Sequence, residues 1–222
     1  MSNNFPNFDR LAKPYRWLEY ASFGHVLERC RYHFLSACAT VQRALILGDG
    51  DGRFTQRLLQ TNSFVDIDAI DSSAQMLQAL HQRASAVSAA TAQRVQTVQA
   101  DIRKFTPELR DYDLVVSHFF LDCLTCDEIH ALIERIQPSL APNARWLISD
   151  FSIPAQGWIR LPARLLVRFL YIVFDWLTQL HIQKLPPYAE VLTQHGFICL
   201  EQKTLLRGLL TTELWQAPPR RP

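Results

Sequence analysis

The chain has 222 residues, of which 48% are hydrophobic and 20% are charged. A chain of this length and composition is expected to form one soluble globular domain, over residues 1–222, that needs no disulfides or structural metal. Its 23 basic and 21 acidic residues leave a net charge of +2, which excludes the strongly basic footprint of a nucleic-acid-binding protein.

Short apolar runs alternate with longer helical patterns, which predicts βαβ units and a parallel sheet. The first half of the chain predicts a helical stretch over 14–39 broken near 22–24, then a strand over 43–47, a helix over 54–60, a strand over 64–71 and a helix over 73–84 capped by Ser72 or Ser73. The second half predicts strands over 95–99, 112–117 and 145–150, with a helix over 129–137 before the last of them.

The pattern changes after residue 154. Apolar helices are predicted over 161–180 and 188–195, followed by strands over 197–203 and 209–216. The link at Arg207-Gly208 is too short for a crossover, so the last two strands must be antiparallel. We therefore predict an α/β, Rossmann-like, seven-stranded and mostly parallel sheet with an antiparallel C-terminal hairpin and helices on both faces. Within the single domain, 1–40 would form a helical cap, 41–154 the core, and 155–222 a substrate-side helix and hairpin.

Three of the seven glycines lie in one loop after the first strand, in the run Gly48, Asp49, Gly50, Asp51, Gly52. A tight glycine turn between a strand and a helix lets a ligand approach backbone N–H groups at the helix N-terminus. The dinucleotide fingerprint needs a glycine where this chain has Arg53. The two acids of the loop would repel a pyrophosphate and favour a cationic ligand. The alternative is a glycine-rich turn without a ligand.

Two further acids end the next two predicted strands. Asp71, nineteen residues after Gly52, could accept both hydroxyls of a ribose, and Asp101 could accept from an adenine amino group. Each has an alternative, since Asp71 could cap the following helix and Asp101 could be an ordinary turn residue. The carboxyl ends of these strands line one crevice, which favours a nucleoside-containing ligand.

These segments together resemble a known family. The runs Leu45-Ile-Leu-Gly-Asp-Gly-Asp-Gly-Arg-Phe54, Ile70-Asp-Ser-Ser-Ala-Gln-Met-Leu77, Ala100-Asp-Ile102 and Asp113-Leu-Val-Val-Ser-His118 are similar to motifs I to IV of class I S-adenosylmethionine-dependent methyltransferases. The N-terminal run Phe8-Asp-Arg-Leu-Ala-Lys-Pro-Tyr15 resembles the quinone-biosynthesis-type branch.

The resemblance implies S-adenosylmethionine as cofactor. Gly48, Gly50 and Gly52 would approach its methionine part, Asp71 with Ser72 would hold the ribose, Asp101 and Ile102 the adenine, and Ser117 and His118 would lie beside the sulfonium. The family often has an acid two residues before the first glycine, where this chain has Ile46. The role of that acid is therefore unfilled or passes to Asp49.

The segment after the fourth strand carries the candidate chemistry, because methyl transfer needs alignment and sometimes removal of a proton. His118 is the best-placed general base, since its ordinary pKa lies near neutrality; the alternative is a histidine that only packs or bonds the backbone. Asp122 could orient His118 or cap the next helix. Phe119 and Phe120 are either core or pocket wall. Tyr15 and Tyr20, in an aromatic N-terminal segment, are the further choices for substrate contacts.

The five cysteines show no regular framework, and the N-terminus lacks an apolar segment behind a basic start, so we expect a cytoplasmic protein. The single Cys123-Leu-Thr-Cys126 run is weak evidence for a metal, and none is predicted. The helix over 161–180 contains Arg164, Arg168 and Asp175, so it is no membrane span. We favour its burial; the alternatives are a wall for a lipophilic substrate, a homodimer face or a shallow membrane-surface contact.

The sequence thus predicts methyl transfer to a small, lipophilic or aromatic acceptor. The alternative is a non-catalytic, cofactor-binding or scaffolding subunit of the same fold that recruits a partner through its apolar helix.

Overall fold

The computed structural model describes residues 25–152 and 185–219. Tyr15, Tyr20, the first part of the predicted cap and the predicted helix over 161–180 lie outside the described residues. Within them, no helix is long and apolar enough to cross a membrane.

A seven-stranded sheet forms the centre of the molecule, in the order β3-β2-β1-β4-β5-β7-β6. The strands are β1 Arg43–Leu47, β2 Asp66–Asp71, β3 Val95–Gln99, β4 Tyr112–His118, β5 Leu140–Phe151, β6 Ile198–Leu205 and β7 Leu210–Gln216. The first five pair in parallel, and β7 runs antiparallel between β5 and β6. The predicted sheet, including its antiparallel hairpin, is confirmed.

Helices cover both faces of the sheet. The described α-helices are α1 His25–Arg31, α2 Arg53–Thr61, α3 Ala74–Val87, α4 Ala89–Ala92, α5 Cys126–Ile136 and α6 Tyr188–Gln194. One core cluster joins α5 and α6 to the face that carries Leu45, Val115 and Trp146. A second joins α2 and α3 to the opposite face, which carries Ile46 and Val116. The central strands are buried on both faces, which explains why their sequences are continuous apolar runs.

Differences from the predicted elements lie at their ends. Helix α5 starts at Cys126 and not at 129, because Thr125 and Glu128 form a capping box in which each side chain accepts from the other residue's backbone N–H. Strand β5 starts at Leu140, five residues before the predicted start. The short helix α4, capped by Ser88, was not predicted. In both helices, the polar capping residue marks a start that the apolar pattern alone did not predict.

Candidate functional site

The candidate site lies where the order of the strands reverses. Strands β1 and β4 are neighbours, and the chain moves from β1 toward β3 on one side and from β4 toward β6 on the other. Ligands of open α/β sheets bind in the crevice outside the carboxyl ends of the strands at such a point. The loops after β1, β2, β3 and β4 all meet at this edge.

The three glycines of the loop after β1 all have positive φ, at +67° for Gly48, +59° for Gly50 and +82° for Gly52. Their surroundings differ. A Cβ at Gly48 would collide with the ring of Phe120, and one at Gly52 would lie 2.6 Å from Leu80 Cα. At Gly50 the nearest atom, Met76 Sδ, would be 3.9 Å away. A side chain at Gly48 or Gly52 would thus clash with packing inside the protein, whereas one at Gly50 would enter open space. The expectation that all three serve ligand approach stays a prediction.

The acids of this loop are engaged by the protein itself. Asp49 accepts from the backbone N–H groups of Phe54 and Thr55, at 3.2 and 2.8 Å, and from the Thr55 hydroxyl at 2.7 Å, so it caps α2. Burial raises the pKa of Asp49, although these hydrogen bonds oppose the shift. Asp51 pairs with Arg53 at 3.2 Å and with Arg83 at 2.8 Å. The loop therefore presents less negative charge to a ligand than its sequence suggests.

Asp71 stands at the end of β2, where its carboxylate borders the crevice. Its Oδ1 accepts from the backbone N–H of Ser73 at 2.9 Å, and the side chain of Ser73 caps α3. Burial raises the pKa of Asp71 to about 6, against hydrogen bonds from Ser73 and Gly50. Both predicted roles of Asp71 are therefore compatible with the structure, since its carboxylate supports the start of α3 and also faces the crevice beside Gly50. Ser72, between Asp71 and Ser73 in the chain, is half-buried.

Asp101 follows β3 and forms a two-point ion pair with Arg103. Arg103 Nε donates to Oδ1 and its NH2 group to Oδ2, both at 2.8 Å. Burial would raise the pKa of Asp101, but the hydrogen bonds from Arg103 outweigh it and lower the pKa. The carboxylate stays ionised and half-buried, beside the buried Ile102. Any ligand amino group that bonds Asp101 has to share it with Arg103.

Ser117 and His118, at the end of β4, point to opposite faces of the sheet. The hydroxyl of the buried Ser117 accepts from Trp146 Nε1 at 3.0 Å within the core, and its role in cofactor binding stays a prediction. The ring of His118 packs edge-on against Phe54, with centroids 4.7 Å apart, and is 5% exposed. Neither ring nitrogen has a hydrogen-bond partner among residues 25–152 and 185–219.

Burial, reinforced by the charge of Arg31, lowers the pKa of His118 well below its ordinary value. A neutral, buried imidazole on the α2 side of the sheet fits the packing alternative. Its role as a general base stays a prediction.

A buried carboxyl pair lies on the other face, at the carboxyl ends of β4 and β5. Asp122 and Asp150 are 7% and 1% exposed, and Asp150 accepts from the backbone N–H of Asp122 at 3.1 Å and of Phe151 at 2.8 Å. Burial and the neighbouring Asp122 raise the pKa of Asp150 well above its ordinary value. Sequence reasoning selected Asp122 and missed Asp150. Asp150 ends a predicted strand, like Asp71 and Asp101, and this signal would have found it.

Phe119, the other predicted substrate residue after β4, is half-buried in a small apolar cluster. Its ring lies 5.5 Å from that of Phe151 and 5.5 Å from the guanidinium carbon of Arg31. Leu27 and Leu209 belong to the same cluster. The structure therefore places Phe119 in an apolar cluster beyond the ends of β4 and β5.

Metal ligands are not grouped at this edge. In the part of the chain that the structure describes, no three His, Cys, Asp or Glu side chains could hold a metal ion together. Cys123 and Cys126 are free thiols, and Cys123 Sγ donates to Asp122 Oδ1 at 3.4 Å.

Comparison with protein families gives one match. Residues 45–146, which span β1 to the middle of β5, match a family model described as a methyltransferase domain. No curated protein matches the sequence. The quinone-biosynthesis branch stays a prediction, since the matching description does not name it.

Solved structures share this fold. The N-methyltransferase NodS from Bradyrhizobium japonicum WM9, in complex with S-adenosyl-L-homocysteine, aligns with a TM-score of 0.66 and 16% identity over 98% of this chain and 100% of that one. An O-methyltransferase family protein from Burkholderia thailandensis gives a TM-score of 0.66 at 16% identity, over 98% of this chain and 64% of that one. The mitomycin 7-O-methyltransferase MmcR gives 0.65 at 16% identity, over 95% and 60%. At this identity the likeness establishes the fold, a Rossmann-like sheet shared with methyltransferases.

Proposed function

We propose that the chain is a methyltransferase of the class I type that transfers a methyl group from S-adenosylmethionine to a small-molecule acceptor, as the match of residues 45–146 to a methyltransferase domain and the shared fold support. The observation that carries the proposal is the convergence of Gly50, Asp71 and Asp101 on one crevice edge, at the reversal of strand order. A solved methyltransferase of the same fold holds the product form of this cofactor.

The residues at the crevice fit a nucleoside cofactor. The open space above Gly50 allows a ligand to approach the backbone, where any side chain would intrude. Asp71 offers a half-buried carboxylate to the two ribose hydroxyls, and Asp101 offers an ionised one to an adenine amino group. Ile102, buried beside Asp101, provides an apolar contact for the base.

S-adenosylmethionine supplies an electrophilic methyl group on a positively charged sulfur. The protein has to orient the acceptor in line with that methyl group and exclude water. The loop after β4 is fixed for such a role, because the N–H of Phe119 donates to Ser149 O at 2.6 Å and that of Asp122 to Asp150. The buried pair Asp122 and Asp150 can hold a proton near the acceptor position.

A lipophilic or aromatic acceptor remains our proposal for the substrate class. The apolar cluster of Phe119, Phe151, Leu27 and Leu209 at the ends of β4, β5 and β7 supports it. The free thiols of all five cysteines support the proposal of a cytoplasmic protein.

The alternative is a non-catalytic, cofactor-binding subunit. Ile46, at the position where the family often has an acid, is 1% exposed in the core, and Asp49 is occupied by α2, so neither residue fills that role through a free carboxylate. The missing free carboxylate at this position is the observation that supports the non-catalytic alternative.

Calorimetry with S-adenosylhomocysteine and a methyl-transfer assay test the proposal. We expect binding by the wild-type protein and a sharp loss of affinity in Asp71→Ala, and turnover on a panel of phenols, quinols, amines and carboxylates. Binding without turnover on any acceptor would favour the non-catalytic alternative. If Asp71→Ala binds S-adenosylhomocysteine as tightly as the wild type, the assignment of Asp71 to the cofactor site is wrong. If NAD raises the unfolding temperature more than S-adenosylhomocysteine does, the assignment of the cofactor is wrong.

A further inference from the structure

An aromatic ring lies directly against the glycine loop. Gly48 follows β1 directly, and Phe120 follows β4, the neighbouring parallel strand. A Cβ at Gly48 would collide with Cδ2 and Cε2 of Phe120, so the ring covers the bare Cα of the glycine. This contact crosses the point where the strand order reverses, which is the centre of the candidate crevice.

The loop holds this ring in a defined place. Phe119 has a φ of +53°, unusual for a residue with a side chain, and its N–H donates to Ser149 O. The N–H of Cys123 donates back to Phe120 O at 3.1 Å. As a result two consecutive phenylalanines separate, with Phe119 packed on Phe151 and Phe120 on Gly48. Phe120 is half-buried and packs against the core at this edge of the sheet.

The positively charged sulfur of the cofactor would lie close to the contact between Phe120 and Gly48. The N–H of Gly48 donates to Ile70 O at 2.9 Å, so Gly48 lies beside the end of β2 that carries Asp71. If Asp71 accepts the ribose hydroxyls, the sulfur, one carbon away from the ribose ring, would lie near this place. The acids of the glycine loop already have partners within the protein. Asp49 caps α2, and Asp51 is paired with Arg53 and Arg83. Both carboxylates are thus engaged by the protein, whereas the ring of Phe120 lies directly against Gly48 at this junction.

We propose that the ring of Phe120 contacts the sulfonium of S-adenosylmethionine and stabilises it by a cation–π interaction. This inference rests on the proposed function and adds a residue that recognises the cofactor's charge. An aromatic face attracts a cation at modest cost in desolvation. When the methyl group moves to the acceptor, the S–C electron pair stays on sulfur and the charge is lost. The interaction thus favours the methylated cofactor over its neutral product.

The ratio of two affinities tests this inference. In Phe120→Leu the affinity for S-adenosylmethionine should fall about fivefold more than that for S-adenosylhomocysteine, since only the first carries the charge. Phe120→Tyr, which keeps an aromatic face, should retain the wild-type ratio. Phe119→Leu is the matched control: it removes a ring from the same loop on the side away from Gly48 and should leave the ratio unchanged.

A second measurement avoids the problem of a destabilised loop. Phenylalanine analogues with one to three ring fluorines, inserted at position 120 alone, weaken the ring's attraction for cations with little change of shape. We expect a stepwise loss of affinity for S-adenosylmethionine and none for S-adenosylhomocysteine. Equal effects on both ligands would overturn the inference while leaving the proposed function in place. Failure of the wild-type protein to bind either ligand would instead contradict the proposed function.

Discussion

The backbone N–H of Asp122 donates to the carboxylate of Asp150 across 3.1 Å, and this bond ties the loop after β4 to the end of β5. The loop carries Phe119 and Phe120, so the position of both rings depends on a carboxylate that lies on a different strand. Asp150 is buried, and its second oxygen accepts from Phe151 N–H.

Asp150→Ala should lower the free energy of unfolding by about 2–4 kcal/mol at pH 5, because two buried backbone N–H groups lose their acceptor. The loss should shrink as the pH rises to 7. The raised pKa of Asp150 means that the folded wild type binds a proton more tightly than the unfolded chain, so this group contributes less stability as the pH rises. Denaturant unfolding between pH 5 and pH 7 measures the effect.

Asp113→Ala is the matched control for that experiment. Asp113 also accepts from two backbone N–H groups, those of Gln42 and Arg43, but at the opposite end of β4. The comparison separates loss of two hydrogen bonds from loss of the buried carboxyl pair. An equal destabilisation of the Asp150 variant at both pH values would contradict the assignment of a retained proton to this pair.

Asp71→Asn should weaken binding of S-adenosylhomocysteine about tenfold to a hundredfold at pH 8, because hydrogen bonds to a charged acceptor are lost. In the wild type, affinity should be full well above pH 6 and fall as the pH drops through about 6, since the raised pKa of Asp71 makes protonation compete with the ribose hydroxyls. The variant should lack this step. Calorimetry at several pH values measures it, with Asp66→Asn at the other end of β2 as control.

Gly50→Ala and Gly52→Ala should separate ligand approach from packing. Gly52→Ala places a Cβ 2.6 Å from Leu80 Cα, so we expect a destabilisation clearly larger than the roughly 1–2 kcal/mol of left-handed backbone strain. Gly50→Ala should cost only that strain but weaken cofactor binding, because its Cβ enters open space in the crevice. Thermal unfolding of both variants measures the loss of stability, and calorimetry measures the loss of cofactor affinity. Similar stability losses in the two would contradict the distinction.

His118→Leu should stabilise the protein below neutral pH, because a buried imidazole without a hydrogen-bond partner among the described residues is replaced by an apolar side chain. The lowered pKa of His118 means that the unfolded chain takes up a proton that the folded protein refuses. The wild type should therefore lose stability as the pH falls below about 6.5, by up to about 1.4 kcal/mol per pH unit, and the variant should not.

His81→Leu, an exposed position on α3, controls for the general effect of removing a histidine. Methyl transfer adds a second readout for His118→Leu. Retained turnover fits the packing role, whereas a loss of about a hundredfold or more in kcat would establish the general-base role instead.

Much of the fold could be predicted from local patterns. Strands β1 and β3 have the predicted bounds, because the buried apolar run of β1 and the short strand pattern of β3 can each be recognised within a few residues. The start of α5 could have been read as well, since Thr125 and Glu128 have the spacing of a capping box. The cap of α2 by Asp49 was harder to see, because an acid in a glycine loop suits a ligand equally well.

The sequence by itself determined the order of strands and helices along the chain, the glycine turn at Gly50 and the acids at the ends of β2 and β3. Each of these depends on neighbours along the chain. Only the tertiary structure decided that Phe120 covers Gly48, that Trp146 occupies the hydroxyl of Ser117, and that Asp150 supports Asp122. The physical reason is that these contacts form between strands adjacent in the sheet but distant in the chain. Which side chains meet there depends on strand order, register and the face each residue presents.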